Sequence, residues 1–277
     1  MQWSDFNDKT IGRFREFQQL SFEVQTAVAS ELTTGVTERA VARQLMKAYR
    51  EAGVASFFHL PVVLFGDRTA LPDPWDILQF WPTERELAPG DAVILDASPI
   101  FDGLLVDTSS SLCHGISDPA IAGSTGYEAA AADDLAYRAS ILDAVKAGAS
   151  FADIAIAVDR QLASSGYRNC HRLHPGEVLG HRVGEVGDAS EPDDRGFAND
   201  LVTWFYDQLA PSNHSVEPPP TWSANPGSQH APADRLWAVE PHLGIGDVGV
   251  KWEEILVIQG DEVFWLDDNP PHVDAEA

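Results

Sequence analysis

The stretch that decides the fold is DAVILDASPIFDGLLVDTSSS, residues 91–111. Two apolar runs within it each end in an aspartate, Asp96 and Asp107. Between them, the Phe-Asp-Gly at 101–103 has the composition of a hairpin turn. The pattern predicts two antiparallel strands that bring Asp96 and Asp107 side by side at the ends of buried segments.

Two carboxylates buried together are costly, because their like charges repel and both lose hydration. A shared metal ion removes that cost, whereas two aspartates at strand ends that simply face solvent would need no ion. This run of sequence alone leaves both readings open.

Three further motifs favour the metal. His181 stands between glycines in GHRVG, Glu240 ends an apolar run in AVEPH, and Glu253 and Glu254 open the apolar run KWEEILVI. Oxygen-rich ligands with one imidazole suit Mn, Fe, Co or Zn. Four carboxylates and one histidine can hold two divalent ions with the charge roughly balanced, and paired metals acidify a water near neutral pH.

The sequence also predicts the same pair of helices twice. Apolar periodicity predicts helices over 14–32 and 127–147, each followed by a capped helix, Thr37 to Gly53 and Ser150 to Gly166. Gly35 and Gly148 precede the two caps at the same distance. Each helical pair is followed by short apolar runs typical of strands, so we expect a duplicated half-domain.

In this order and spacing the motifs resemble the pita-bread metallopeptidase family, which includes methionine aminopeptidase, prolidase, aminopeptidase P and creatinase. The resemblance covers roughly residues 14–266, and it includes the eleven-residue step from Asp96 to Asp107 and the lead-in PTERELAPGD at 82–91. It implies an α+β pita-bread fold, with duplicated helix-strand halves around a curved antiparallel sheet. It also implies a two-metal site (Mn, Co, Fe or Zn) held by Asp96, Asp107, His181, Glu240 and Glu253.

The chain departs from the family pattern at its accessory histidines. Peptidases of the family carry one histidine just ahead of a Pro-Thr, where this chain has Gln79, Phe80 and Trp81, and another seven residues after the ligand histidine, where it has Asp188. The candidates to replace them are His59 in FFHLP, Asp188 itself, and His171 or His174.

Composition bounds the remaining expectations. The chain of 277 residues has 44% hydrophobic residues, which is typical of a globular protein. We expect one catalytic domain over 1–277, with an inserted proline-rich loop at 202–234 and a solvated tail from 267.

A formal net charge of −25 disfavours nucleic acid and anionic membranes as partners. Two cysteines and the lack of a signal peptide or long apolar segment predict a cytoplasmic, soluble protein. A homodimer is left open.

The resemblance implies hydrolysis of an amide bond near the N-terminus of a peptide, as in an aminopeptidase or Xaa-Pro peptidase. Glu240 would serve as general base, and His59 or Asp188 would hold substrate. The missing accessory histidines favour an alternative, a creatinase-like hydrolase of a small carbon–nitrogen compound. A third reading, a peptide-binding module without catalysis, conflicts with the complete ligand set.

Overall fold

The computed structural model describes residues 7–118, 121, 126–187, 189–193, 196–198, 200, 202–203 and 220–274. It has an α+β architecture whose helices are α1 (Asp8–Ser30), α2 (Glu38–Glu51), α3 (Tyr127–Lys146), α4 (Phe151–Ser164) and α5 (Pro271–Asp274). The strands of the first half are β1 (Ser56–Phe57), β2 (Val62–Phe65), β3 (Ala92–Ala97), β4 (Pro99–Phe101), β5 (Leu104–Leu105) and β6 (Thr108–Cys113). Those of the second half are β7 (Arg168–Asn169), β8 (Val178–Val183), β9 (Thr221–Ser223), β10 (Arg235–Val239), β11 (His242–Ile245), β12 (Val248–Lys251), β13 (Glu254–Gln259) and β14 (Glu262–Trp265).

The two halves share one topology, as the duplication predicted. In the first, β2-β3-β6 form one antiparallel sheet and β1-β4-β5 another; in the second, β8-β10-β13 form the centre of a five-stranded sheet and β7-β11-β12 a small one. Both capped helices have 14 residues, and the caps are Thr37 and Ser150. Both terminal glycines have positive φ, 92° at Gly53 and 79° at Gly166, which glycine adopts without strain.

Two apolar clusters form the core of the described residues. One buries Phe14, Val41 and Leu45 against strands of both halves, and the other buries Ile141, Leu162 and Trp237. The predicted hairpin turn is present, because Phe101 pairs with Leu104 across Asp102 and Gly103. Both turn residues have positive φ (48° and 76°), as a two-residue type I′ turn requires.

Two boundary expectations need correction. Residues 221–223, inside the segment predicted as a loop, form edge strand β9, because Trp222 stacks on Phe151 at 4.2 Å and its neighbours pair with β8. Part of the tail predicted to be solvated, Pro271–Asp274, forms α5, where His272 stacks on Trp252 at 5.2 Å. Residues 204–219 of the proposed insertion lie outside the described part of the chain.

Two further observations bear on the expected environment. No helix within the described ranges is both long enough and apolar enough to cross a bilayer. Cys113 and Cys170 are buried and form no disulfide bond, and burial raises the pKa of Cys170 to about 12.

Candidate metal centre

Equivalent hairpins of the two halves present the acidic residues. Asp96 lies on β3 and Asp107 just before β6, so the β4–β5 hairpin joins them. Glu240 follows β10 and Glu253 precedes β13, and the β11–β12 hairpin joins these.

The halves meet at the site through backbone hydrogen bonds. The amide of Ser109 donates to the carbonyl of Glu253 (3.2 Å), and the amide of Glu253 donates back to Ser109 (3.0 Å). This two-residue bridge aligns β6 with the start of β13, and it brings the ligand positions of both halves into one space.

The predicted ligands converge as expected. His181 on β8 places its Nε2 3.3 Å from Asp107 Oδ2 and 3.5 Å from Glu253 Oε1. Glu240 Oε1 lies 4.0 Å from the same nitrogen. The Asp96 side chain joins this cluster through His59, whose Nε2 is 3.7 Å from Asp96 Oδ1 and 4.0 Å from Asp107 Oδ1.

The separations and the bonding state of these atoms fit a metal. Ligand atoms each about 2.1 Å from one ion lie about 3 to 4 Å apart, which brackets the distances found here. Asp96 Oδ1, Asp107 Oδ1 and Glu253 Oε1 are buried and have no hydrogen-bond partner within the described structure. Buried carboxylate oxygens without partners are costly unless a cation binds them, so the residues present suit a divalent ion.

Glu254 is clearly separated from this cluster. It is fully buried and receives two hydrogen bonds from Arg138 (2.5 and 3.1 Å), while His272 lies 2.9 Å from it. Glu253, facing the opposite side of the strand, is the glutamate directed at His181.

A buried lysine stands among the acids, and sequence reasoning missed it. Lys251 Nζ contacts Asp96 Oδ2 at 2.5 Å, Glu253 Oε2 at 2.9 Å and Glu240 Oε2 at 3.0 Å. It therefore takes one oxygen of each carboxylate and leaves the other free. Residue 251 lies two positions before Glu253, and this alternation along extended backbone was the available signal.

The charges in this cluster perturb one another. Burial lowers the pKa of Lys251, but the three surrounding carboxylates outweigh it and raise that pKa well above its usual range. Burial and the neighbouring Asp107 raise the pKa of Glu253 to about 8. Burial would also raise the pKa of Glu240, yet Lys251 and His174 hold it well below its ordinary value.

The candidate replacements for the accessory histidines separate clearly. His174 faces the site, with Nδ1 2.8 Å from Glu240 Oε2 and Nε2 3.0 Å from His242 Nδ1. His171 instead contacts Asp159 at 3.0 Å, outside the centre. The Gln79 side chain accepts from the Asp76 amide and closes a helical turn. Asp188 lies outside the described residues.

The centre opens into a cavity of ≈170 Å³. Its outer wall is aromatic and apolar, formed by Phe58, Ile77, Phe80, Trp81 and Phe197. The carboxylates and imidazoles form its floor. An apolar wall above a few convergent polar groups is the usual form of a small-molecule or peptide site.

Duplicated helix-strand halves, with four carboxylates and two imidazoles lying close together between them, agree with the pita-bread fold that the resemblance implied and form a candidate metal centre. The chain belongs to metallopeptidase family M24, whose model matches residues 12–260. Members of this family typically bind divalent metal ions.

Solved structures share the fold. An X-Pro aminopeptidase of Thermotoga maritima matches with a TM-score of 0.68 and 17% identity, over 96% of this chain and 62% of that one. A Xaa-Pro dipeptidase of Bacillus anthracis matches with 0.66 and 20%, over 95% and 62%. An uncharacterized peptidase of Staphylococcus haemolyticus is 27% identical over 186 residues, 66% of this chain and 49% of the relative. The chain thus spans about half the length of the curated relatives it matches.

Proposed function

We propose that this chain is a two-metal peptidase that hydrolyses an amide bond near the N-terminus of a peptide, in the manner of an aminopeptidase or Xaa-Pro peptidase. The observation that carries the proposal is the set of buried carboxylate oxygens without partners, which face two imidazoles beneath an apolar cavity. The solved neighbours named as Xaa-Pro peptidases support the same substrate class.

The residues that would hold the ions are Asp96, Asp107, His181, Glu240 and Glu253. Bound there, two divalent ions of the Mn, Fe, Co or Zn type would supply an activated water and polarise the scissile carbonyl.

Glu240 is the proposed general base. Lys251 and His174 contact only its Oε2, so Oε1 could accept a proton from a nucleophilic water and return it to the leaving amine. His174 fixes one oxygen of Glu240, and the other oxygen, Oε1, faces the floor of the cavity near His181. His174 is thus a positioning residue for the proposed base.

The aromatic wall would bind the apolar part of the substrate. Trp81 and Phe197 pack edge to face at 5.2 Å, and Phe58 lies 6.3 Å from Phe197. This apolar aromatic wall suits a proline ring or an apolar side chain next to the cleaved bond.

A panel of dipeptides tests the proposal. Protein loaded with Mn²⁺ or Co²⁺ is assayed on Met-Xaa, Xaa-Pro and other dipeptides, with and without chelator. Turnover that disappears on chelation and returns with metal is expected. Absence of turnover on every dipeptide by metal-loaded protein contradicts the peptidase, and turnover of small carbon–nitrogen compounds instead would identify the creatinase-like alternative.

A further inference from the structure

His59 holds a fixed place at the edge of the metal centre. It lies between β1 and β2, where its backbone pairs with Phe197 and the next amide donates to Gly196 (2.8 Å). Its ring lies edge-on to both Phe58 and Phe197, at 6.2 and 6.3 Å. The side chain is only 15% exposed, so the ring has one orientation imposed by its neighbours.

The backbone contact of the His59 ring orients its two nitrogens. Nδ1 lies 2.9 Å from the carbonyl oxygen of Leu60. A carbonyl can only accept, so Nδ1 carries a hydrogen and Nε2 is the nitrogen that faces the two aspartates. Metal-binding histidines commonly have this arrangement, in which the second ring nitrogen donates to a backbone carbonyl.

His181, the expected ligand, has the same arrangement. Its Nδ1 lies 3.3 Å from the carbonyl oxygen of the next residue, Arg182, and its Nε2 faces the acids. The two histidines therefore approach Asp107 from opposite sides. His181 faces Oδ2 of this carboxylate and His59 faces Oδ1.

Two carboxylate oxygens face the His59 ring. Asp96 Oδ1 and Asp107 Oδ1 are buried without a hydrogen-bond partner in the described part of the chain, and Lys251 takes only the second oxygen of Asp96. Two buried carboxylate oxygens that face one another and an imidazole nitrogen are unfavourable unless a positive charge lies among the three atoms, and a divalent cation supplies that charge.

We infer that His59 is a metal ligand, and that it binds one ion together with Asp96 Oδ1 and Asp107 Oδ1. His181, Glu240 and Glu253 would hold the second ion, and Asp107, whose two oxygens face both imidazoles, would contribute to both positions. Lys251 occupies the oxygens of Asp96 and Glu253 on the far side, so the first position depends on the extra imidazole. The inference rests on the proposed two-metal function and adds a sixth ligand to it.

The experiment counts bound metal rather than activity. Wild type, His59→Ala, His59→Gln and His181→Ala are dialysed against Co²⁺, the bound metal is counted by elemental analysis, and the visible absorption of Co²⁺ is recorded. His230→Ala is the matched control, because His230 makes the same contact with the carbonyl of the following residue (2.8 Å) but lies against Phe151.

Wild type and His230→Ala are expected to bind two equivalents. Both His59 variants should retain one and bind the other at least ~100-fold more weakly, because even loss of an outer-shell partner costs about 10–100-fold. The Co²⁺ spectrum should change with the lost nitrogen. Glutamine can still donate a hydrogen bond to substrate, so equal loss in both His59 variants identifies the imidazole as a ligand.

Two results separate the inference from the function on which it rests. Two equivalents with unchanged affinity and spectrum in folded His59→Ala and His59→Gln overturn the inference and leave the two-metal proposal intact. If wild type binds no Co²⁺ at all, the proposed function itself fails.

Discussion

The two halves of the molecule share a backbone plan and differ in the charge they bring to its centre. The capped helices repeat with an offset of 113 residues (37 to 150), and the first short strands with an offset of 112 (56 to 168). The site positions repeat with an offset of 144, which relates Asp96 to Glu240 and Ser109 to Glu253. The increase of 32 residues from the strand offset to the site offset falls between β7 and β10, where the insertion was expected.

The same offset relates Asp107 to Lys251. One half therefore places a carboxylate, and the other an ammonium, at equivalent positions beside the centre. The Asp107 carboxylate faces the imidazoles of His59 and His181, whereas the Lys251 ammonium contacts the other three carboxylates. The two halves thus share a backbone scaffold, but residues at equivalent positions carry opposite charges and contact different partners.

Removing the charge of Asp107, the acidic member of the equivalent pair Asp107 and Lys251, should have the largest effect on metal binding. Asp107→Asn removes the charge of the carboxylate whose two oxygens face the two proposed ion positions, and we expect metal affinity to fall at least ~100-fold at both positions, with loss of activity. Equilibrium dialysis with Mn²⁺ measures it. Asp102→Asn in the same hairpin, where Asp102 is exposed and paired with Arg13, should bind metal like wild type. Two tightly bound equivalents in Asp107→Asn would contradict the bridging role.

Removing the charge of Lys251, the basic member of this pair, should lower the free energy of unfolding instead. Lys251→Met leaves several buried carboxylates without a partner, and removing one member of a buried ion pair costs about 3–5 kcal/mol. Urea unfolding of metal-free protein measures this loss, and excess Mn²⁺ should restore part of it. The matched change Lys47→Met, at an exposed pair with Glu51 (3.7 Å), should cost about 0.5 kcal/mol or less. Equal effects of the two substitutions would show that Lys251 does not neutralise the centre.

A third contrast lies in the helices. Asp134 on α3 corresponds by the 113-residue offset to Ser21 on α1, and both are buried. Ser21 contacts Tyr49 and Thr108, whereas neither carboxyl oxygen of Asp134 has a hydrogen-bond partner in the described structure. Burial raises the pKa of Asp134 well above its ordinary value.

The folded state therefore holds a proton at Asp134 that the unfolded chain releases, and this residue opposes folding increasingly as pH rises through the interval between the two pKa values. The stability of Asp134→Asn relative to wild type should increase by up to about 1.4 kcal/mol per pH unit across that interval. Urea unfolding from about pH 5 to about pH 8 measures the difference. Asp133→Asn, at a residue bonded to Tyr167, is the control. A pH-independent difference for Asp134→Asn would contradict the raised pKa.

The smallest effects concern the equivalent helix caps. Thr37→Ala and Ser150→Ala each remove a hydrogen bond to a first-turn amide (3.2 and 3.1 Å) and should cost about 1 kcal/mol. Thermal and urea unfolding of the single and double variants measures this. The two losses should add within about 0.5 kcal/mol, because the caps belong to different halves. A larger departure from additivity would show that the helical pairs are energetically coupled.

Local chemistry made much of this molecule predictable. The Asp-Gly turn, the two caps and the five ligand positions each carry a short-range signal, and the structure brings Asp96, Asp107, His181, Glu240 and Glu253 together. The same motifs indicated the family.

What escaped prediction depends on contacts between distant segments. The roles of Lys251 and His174 follow from the approach of β12 and the loop before β8 to the acids, and no composition rule reports that approach. Strand β9 lies in a proline-rich segment whose composition predicted a loop. Helix α5 packs on the rest of the fold through His272, which stacks on Trp252. The family pattern includes no histidine ligand at residue 59, so only its geometry assigns one.

The bridge between Ser109 and Glu253 also bears on the history of the chain. An ancestral pair of identical halves, joined across this contact by a twofold axis, would have carried the same residue at positions 107 and 251. An acid at 107 and a base at 251 cannot both occur in a symmetric dimer of identical halves. This pair therefore requires both halves to lie in one chain, where each can carry its own residue.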